Sequence, residues 1–267
     1  MIERRRPIAV ANLLAAVAFF AMSLSTAIGA APASSTTWSF DMYDPAAVLY
    51  QDPDYTACAS AAAQIMLNTA FDVSEQDYVS SGTEMFHLSM RWQPDTSAAT
   101  METILAYSRA NMTMLTSSLG TDPHGWRNSL NYFGWGTMRG GVYSDTAYAT
   151  FADAAKAVVA SLARSHKPVG LLARAGTHAQ LVTGYVVTGE NPTVSDNYTV
   201  VGVYLTDPLR SAAMRDAWIP LSTWQSGVYA IRFTPYTETD SPYTDPIDHN
   251  VGITEWYGKW VIIGAWQ

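Results

Sequence analysis

Three residues of this 267-residue chain are of the types that nucleophilic catalysis combines: Cys58, His178 and Asp207. Cys58 is the single cysteine. It opens the run Cys58-Ala59-Ser60-Ala61-Ala62-Ala63-Gln64-Ile65-Met66-Leu67-Asn68, which holds no Gly, Pro or charge. Such a run predicts a helix of about three turns, buried on most sides and closing between Asn68 and Phe71. A thiol at a helix start has its thiolate stabilised by free backbone N–H groups and by the helix dipole. Most unpaired cysteines are small buried hydrophobes, so the helix start is what sets this one apart.

His178 stands at the mouth of a strand, in Gly176-Thr177-His178-Ala179-Gln180-Leu181-Val182. Asp207 closes the next strand, in Tyr204-Leu205-Thr206-Asp207-Pro208. A hairpin centred on the turn near Thr193 would set the two opposite each other, within about 5 Å. The carboxylate could then fix the imidazole tautomer, and the imidazole could take the proton from Cys58. Taken singly, a strand-end histidine and a turn-opening Asp-Pro are ordinary; their joint placement is what points to chemistry.

The elements that must position them fall into two kinds of text. Residues 34–57 read as extended and turn-rich, with Asp44-Pro45 and Asp52-Pro53 as punctuation. Residues 75–118 hold weaker helical periodicity, best over Ser97 to Arg109, and Asp122-Pro123-His124-Gly125 starts a short helix through Trp126 to Tyr132. Gly134, Gly136, Gly140 and Gly141 form a loop around Trp135. Phe151 to Ser165 is the cleanest amphipathic helix, with Phe151, Ala154, Ala155, Val158, Val159 and Leu162 on one stripe and Pro168 barring its continuation. Strand text follows at Val169 to Ala173, Ala179 to Thr188, Tyr198 to Thr206, Val228 to Thr234 and Lys259 to Trp266. A loop is expected from Asp207 to Gly227, and an irregular excursion over residues 235–250. Helices first and sheet second is the grammar of an α+β domain, here a single one over residues 34–267.

The segment Gln51-Asp52-Pro53-Asp54-Tyr55-Thr56-Ala57-Cys58-Ala59-Ser60-Ala61-Ala62, followed by Ile65-Met66-Leu67, resembles the papain-like cysteine peptidases. Within them it is most similar to the bacteriocin-leader-processing peptidases and their secreted relatives, over about residues 45–234. The resemblance implies a helical half, with the cysteine helix packed on an antiparallel β-sheet. It implies Cys58 as nucleophile, Gln51 as the oxyanion-hole side chain, His178 as general base and Asp207 as its orienter, with no cofactor. Three departures stand out: Ala59 replaces the Gly that usually follows the cysteine, Gln51 lies seven positions before it where six is usual, and Glu190 to Asn197 lengthens the His–Asp interval.

Composition narrows the partners. Hydrophobic residues make up 48% of the chain and charged residues 14%, enough apolar surface for a substantial core. The first residues join Arg4-Arg5-Arg6 to an apolar stretch from Ile8 and then to small residues through Ala33, the three parts of a secretory signal. Residues 1–33 are therefore expected to be a signal peptide, with a membrane anchor over 8–28 as the alternative. Losing their three Arg and one Glu turns the 15 basic and 23 acidic residues into 12 and 22, so the remainder carries −10. That charge disfavours nucleic acid. The resemblance implies a peptide or protein substrate, and the export reading adds an expected association with the cell envelope.

No metal is expected. His87, His124, His166 and His249 lie far apart without ligand spacing, and Asp245, Asp248 and His249 read as a solvated acidic loop. The expected function is an exported cysteine peptidase cleaving peptide or related amide bonds. Two alternatives are a catalytically inactive cell-surface or cell-wall binding module on the same fold, and a transglutaminase-like acyltransferase.

Overall fold

Runs of alternating Val, Ile and Leu in the second half of the chain can bury both faces only if helices cover each side of a sheet. A computed structural model describes residues 36–48, 56–71, 101–113, 120–135, 142–209, 212–228, 231–237 and 255–265. The chain divides into Met1–Ser34 and Ser35–Gln267. In the latter unit the described elements are β1 (Thr37–Asp41), α1 (Cys58–Phe71), α2 (Met101–Ala110), α3 (Pro123–Trp135) and β2 (Tyr143–Tyr148). They continue as α4 (Phe151–Ser165), β3 (Val169–Ala173), β4 (His178–Gly189), β5 (Tyr198–Thr206), β6 (Ala217–Pro220), α5 (Leu221–Ser226) and β7 (Trp260–Ala265). The result is a mixed α+β fold with helices packed on an antiparallel seven-stranded sheet.

The sheet runs β2-β7-β3-β4-β5-β6, every pairing antiparallel. β4 is long enough to take two partners in succession, β3 along residues 178–182 and β1 along 184–188. One core cluster gathers Ala59, Ala62, Ala63 and Met66 of α1 and Trp126 and Leu130 of α3 against Leu172, Ala179, Leu181, Val261 and Ile263. A second gathers Phe151, Ala154, Val158 and Leu162 of α4 against Leu171, Val182, Tyr185, Val187 and Ile262. Adjacent strand residues such as Leu171 and Leu172, or Ile262 and Ile263, thus serve opposite faces, as the two-residue period of a strand requires.

Two irregularities tune this alternation. Between Val182 and Gly184 the β4–β5 register slips by one residue, and it slips back where Val186 pairs Gly202 and Val187 pairs Val200. The first slip inserts Thr183 as a bulge, so Tyr185 and Val187 join Val182 on the α4 face although Ala179 and Leu181 point to α1. The second leaves Val201 unpaired and 38% exposed.

Helix ends follow local chemistry. Thr150 caps α4, its Oγ1 accepting from the Asp153 N–H, and His166 ends the helix in the left-handed region at φ 53°. Asp122 caps α3 by accepting from the Gly125 N–H at 2.8 Å, with Pro123 as the first helical residue.

Several expectations need correction. The extended, turn-rich segment over residues 34–57 contributes a paired strand, β1, and the text around Tyr143 contributes β2, so the sheet draws on the first half of the chain as well. The expected loop from Asp207 to Gly227 contains β6, paired to β5, and α5. Both are too short for periodicity to reveal, and burial of Ile219 and Trp224 against the core holds them. The expected strand at Val228 to Thr234 is turn and irregular backbone over its described residues. Ile231 and Arg232 both donate to the Val228 carbonyl, and Phe233 is buried by stacking on Trp224. There the apolar text reports burial without a ladder. The short helix expected through Tyr132 runs on to Trp135, so Gly134 and Trp135 of the expected glycine loop are helical; residues 136–141 of that loop and residues 238–250 of the expected excursion lie outside the described residues.

Candidate active site at the start of the cysteine helix

Cys58 is the first helical residue of α1, because the first intrahelical bond runs from the Ala61 N–H to the Ala57 carbonyl at 2.8 Å. From Ala59 to Thr69 every residue is buried, while Cys58 itself keeps intermediate exposure. The helix is thus fixed by its whole surface, while its first residue remains partly exposed.

β3 and β4 are joined by Arg174, Ala175 and Gly176, all at positive φ of 50°, 63° and 99°. Two of the three are not glycine, a backbone conformation that costs of order 1–3 kcal/mol each and persists only where the surroundings enforce it. Here they do: the Ala175 N–H donates to Thr234 Oγ1 at 2.7 Å, and the Ala175 carbonyl accepts from the Thr237 N–H at 2.8 Å. The loop delivers His178 as the first residue of β4, 4% exposed.

The imidazole Nε2 of His178 lies 2.7 Å from Oδ1 of Asp207, which is fully buried. With Nε2–H donating to the carboxylate, Nδ1 is left for the other side of the ring. Cys58 also acts on this imidazole, among the causes that raise its pKa. Burial pulls the imidazole pKa down, but the hydrogen bonds to Asp207 and Cys58 and the charges of both outweigh it, so the net shift is upward. For Asp207 burial pushes up, and donation from His178, Gln180 and the Leu209 N–H outweighs it, holding the carboxyl below its usual range.

The His–Asp contact forms by a register different from the one expected. Leu181 pairs with Thr206, so one further step sets Asp207 opposite Gln180 and leaves His178 on the diagonal. A two-residue offset keeps the same face of the sheet, and diagonal neighbours remain within reach of long side chains. The pairing was misplaced, yet the contact survives.

Two partners of Asp207 escaped the sequence reading. Gln180 Nε2 donates to Oδ2 at 2.9 Å, and Arg174 Nη2 lies 3.5 Å from the same oxygen. Gln180 had a legible signal, since it sits two residues after His178 and so shares its side of β4. Arg174 had none, because its approach depends on the left-handed loop. Gln51 lies outside the described residues.

A second polar cluster sits elsewhere. His124 Nε2 is 3.4 Å from Asp145 Oδ2 and 3.8 Å from Glu255 Oε2, and Arg127 Nη1 is 2.7 Å from Asp145 Oδ1. The sequence reading set His124 aside for want of nearby ligands in the chain; the fold supplies them from β2 and from the turn before β7. Asp245, Asp248 and His249 lie outside the described residues. Among the described residues no helix is long and apolar enough to cross a membrane, and the apolar stretch over 8–28 lies outside them. Comparison with protein-family models, curated proteins and solved structures returned no match to this chain.

Proposed function

We propose that the protein is a papain-like cysteine hydrolase that cleaves peptide or closely related amide bonds. What supports this reading is the 2.7 Å contact of His178 Nε2 with buried Asp207, together with the upward pull of Cys58 on the pKa of the same imidazole. A raised imidazole pKa favours the imidazolium form of His178, the form that can protonate a leaving amine. The Cys58 sulfur would attack the carbonyl carbon. The Cys58 backbone N–H, at a helix position with no intrahelical acceptor, would face the developing oxyanion. His178 would pass its proton to the leaving amine and then take one from the water that hydrolyses the thioester.

Because Cys58 is the single cysteine, alkylation reports on one site. Iodoacetamide should modify the wild-type chain readily at pH 6, where an ordinary thiol is almost wholly protonated. His178→Ala should slow that reaction at least about tenfold by removing the ion-pair partner. Superimposable wild-type and His178→Ala rate profiles from pH 4 to pH 9 would leave Cys58 an ordinary thiol, and the binding-module alternative would take over.

Export belongs to the same proposal and rests on Arg4 to Arg6 and the apolar stretch after them. Mass spectrometry of secreted material should find a new N-terminus between Ala31 and Ser34. Recovery of only the full-length chain, with membranes, would favour the anchor.

A further inference from the structure

We propose that His124, Asp145 and Glu255 form a binding site for one first-row divalent cation of the zinc class, separate from Cys58. One ligand atom from each residue lies within 4.8 Å of the others. The measured edges of 3.4 and 3.8 Å at His124 Nε2 are close to the edge of about 3.3 Å for a tetrahedron with zinc bonds of about 2.0–2.1 Å. Drawing the three atoms onto an ion therefore needs only small movements, the largest at Glu255, whose side chain is 41% exposed.

The supporting groups are those that orient ligands. Thr113 Oγ1 lies 2.5 Å from His124 Nδ1, which leaves Nε2 directed at the two carboxylates. Arg127 holds Oδ1 of Asp145 at 2.7 Å, and the indole N–H of Trp256 reaches Oδ2 at 3.1 Å. Outer contacts of this kind fix the tautomer and rotamer of ligands. His124 is 3% exposed, with its ring edge-on to Trp256 at 4.6 Å, so one wall of the site is apolar.

What calls for an ion is Glu255. Its Oε2 is buried and receives no hydrogen bond, yet it points at His124 and at a second carboxylate. A divalent cation would relieve both the missing partner and the like-charge contact. One imidazole with two carboxylates suits zinc, or manganese and cobalt, whereas calcium prefers oxygen alone. The exposed side of Glu255 gives entry and a fourth position for water. Bound there, the ion would join α3, β2 and the turn before β7, which lie far apart in sequence.

The full chain, stripped with chelator, should be titrated with Zn²⁺ and with Co²⁺. One ion per chain is expected, with a rise in Tm. The cobalt form should show visible ligand-field bands without the near-ultraviolet thiolate-to-cobalt band, because no sulfur is bound. Glu255→Gln should weaken binding at least about tenfold while folding normally, and Cys58→Ser should leave binding unchanged. A folded wild-type chain that takes up no ion at millimolar free Zn²⁺ overturns the site. So does binding that is lost in Cys58→Ser but kept in Glu255→Gln.

Discussion

Cys58→Ala is expected to reduce amide hydrolysis at least about a thousandfold with little change in stability. The substitution removes one atom at a helix start whose residue is only partly buried, so the core around α1 keeps its packing. His178→Ala should cost a comparable factor, since both proton transfers of the proposed cycle pass through that ring. The double variant should be little worse than either single one, because residues that act as a unit lose the same function only once. The measurement is turnover of a mixed peptide library by purified wild type and the three variants, with circular dichroism as the control for folding. Hydrolysis that survives in Cys58→Ala would remove the thiol from the chemistry altogether.

Asp207→Ala should be the most damaging single change to stability among the residues at this site. Asp207 is fully buried and accepts from His178, Gln180 and the Leu209 N–H, with Arg174 beside it. Removing one member of a buried charged network leaves its partners without an acceptor and costs about 3–5 kcal/mol. The cost should depend on pH with a definite sign. Asp207 has a lowered pKa, so its contribution is present above the unfolded carboxyl value near 3.9 and is lost as pH falls through the folded one. His178 has a raised pKa, so its contribution is complete below about 6.5 and is lost as pH rises through the folded value. The gap between wild type and Asp207→Ala should therefore be widest between about pH 4 and pH 6.5, and narrower at pH 2.5 and pH 9. Urea unfolding at those pH values checks it, and a gap independent of pH would mean that the loss is one of packing rather than charge. Asp207→Asn should cost less than Asp207→Ala, because its carbonyl can still accept from Nε2.

What the sequence determined by itself is what depends on neighbours along the chain. α4 has the bounds read for it in the sequence, because its apolar stripe and Pro168 are local signals; the Thr150 cap emerges only in the structure. β3 and β5 have the predicted bounds, since runs of Val, Leu and Tyr bounded by turns admit few other readings. The start of α1 at Cys58 follows from an uncharged run of helix formers behind a turn, and that placed the thiol. His178 and Asp207 were found together because strand alternation tolerates an error of two residues without changing faces.

Only tertiary structure decided the rest. β1 and β6 are strands because β4 and β5 offer them unpaired edges, and nothing in five or four residues announces that. The stretch ending at Thr234 has strand composition, but Phe233 is consumed by stacking on Trp224 and no partner edge meets its described part. Arg174 reaches Asp207 through two left-handed residues that contacts from Thr234 and Thr237 enforce. The grouping of His124 with Asp145 and Glu255 joins positions 21 and 131 residues apart. Spacing along a chain can signal ligands carried on one turn or one hairpin; ligands brought together by the closure of a sheet leave no such trace.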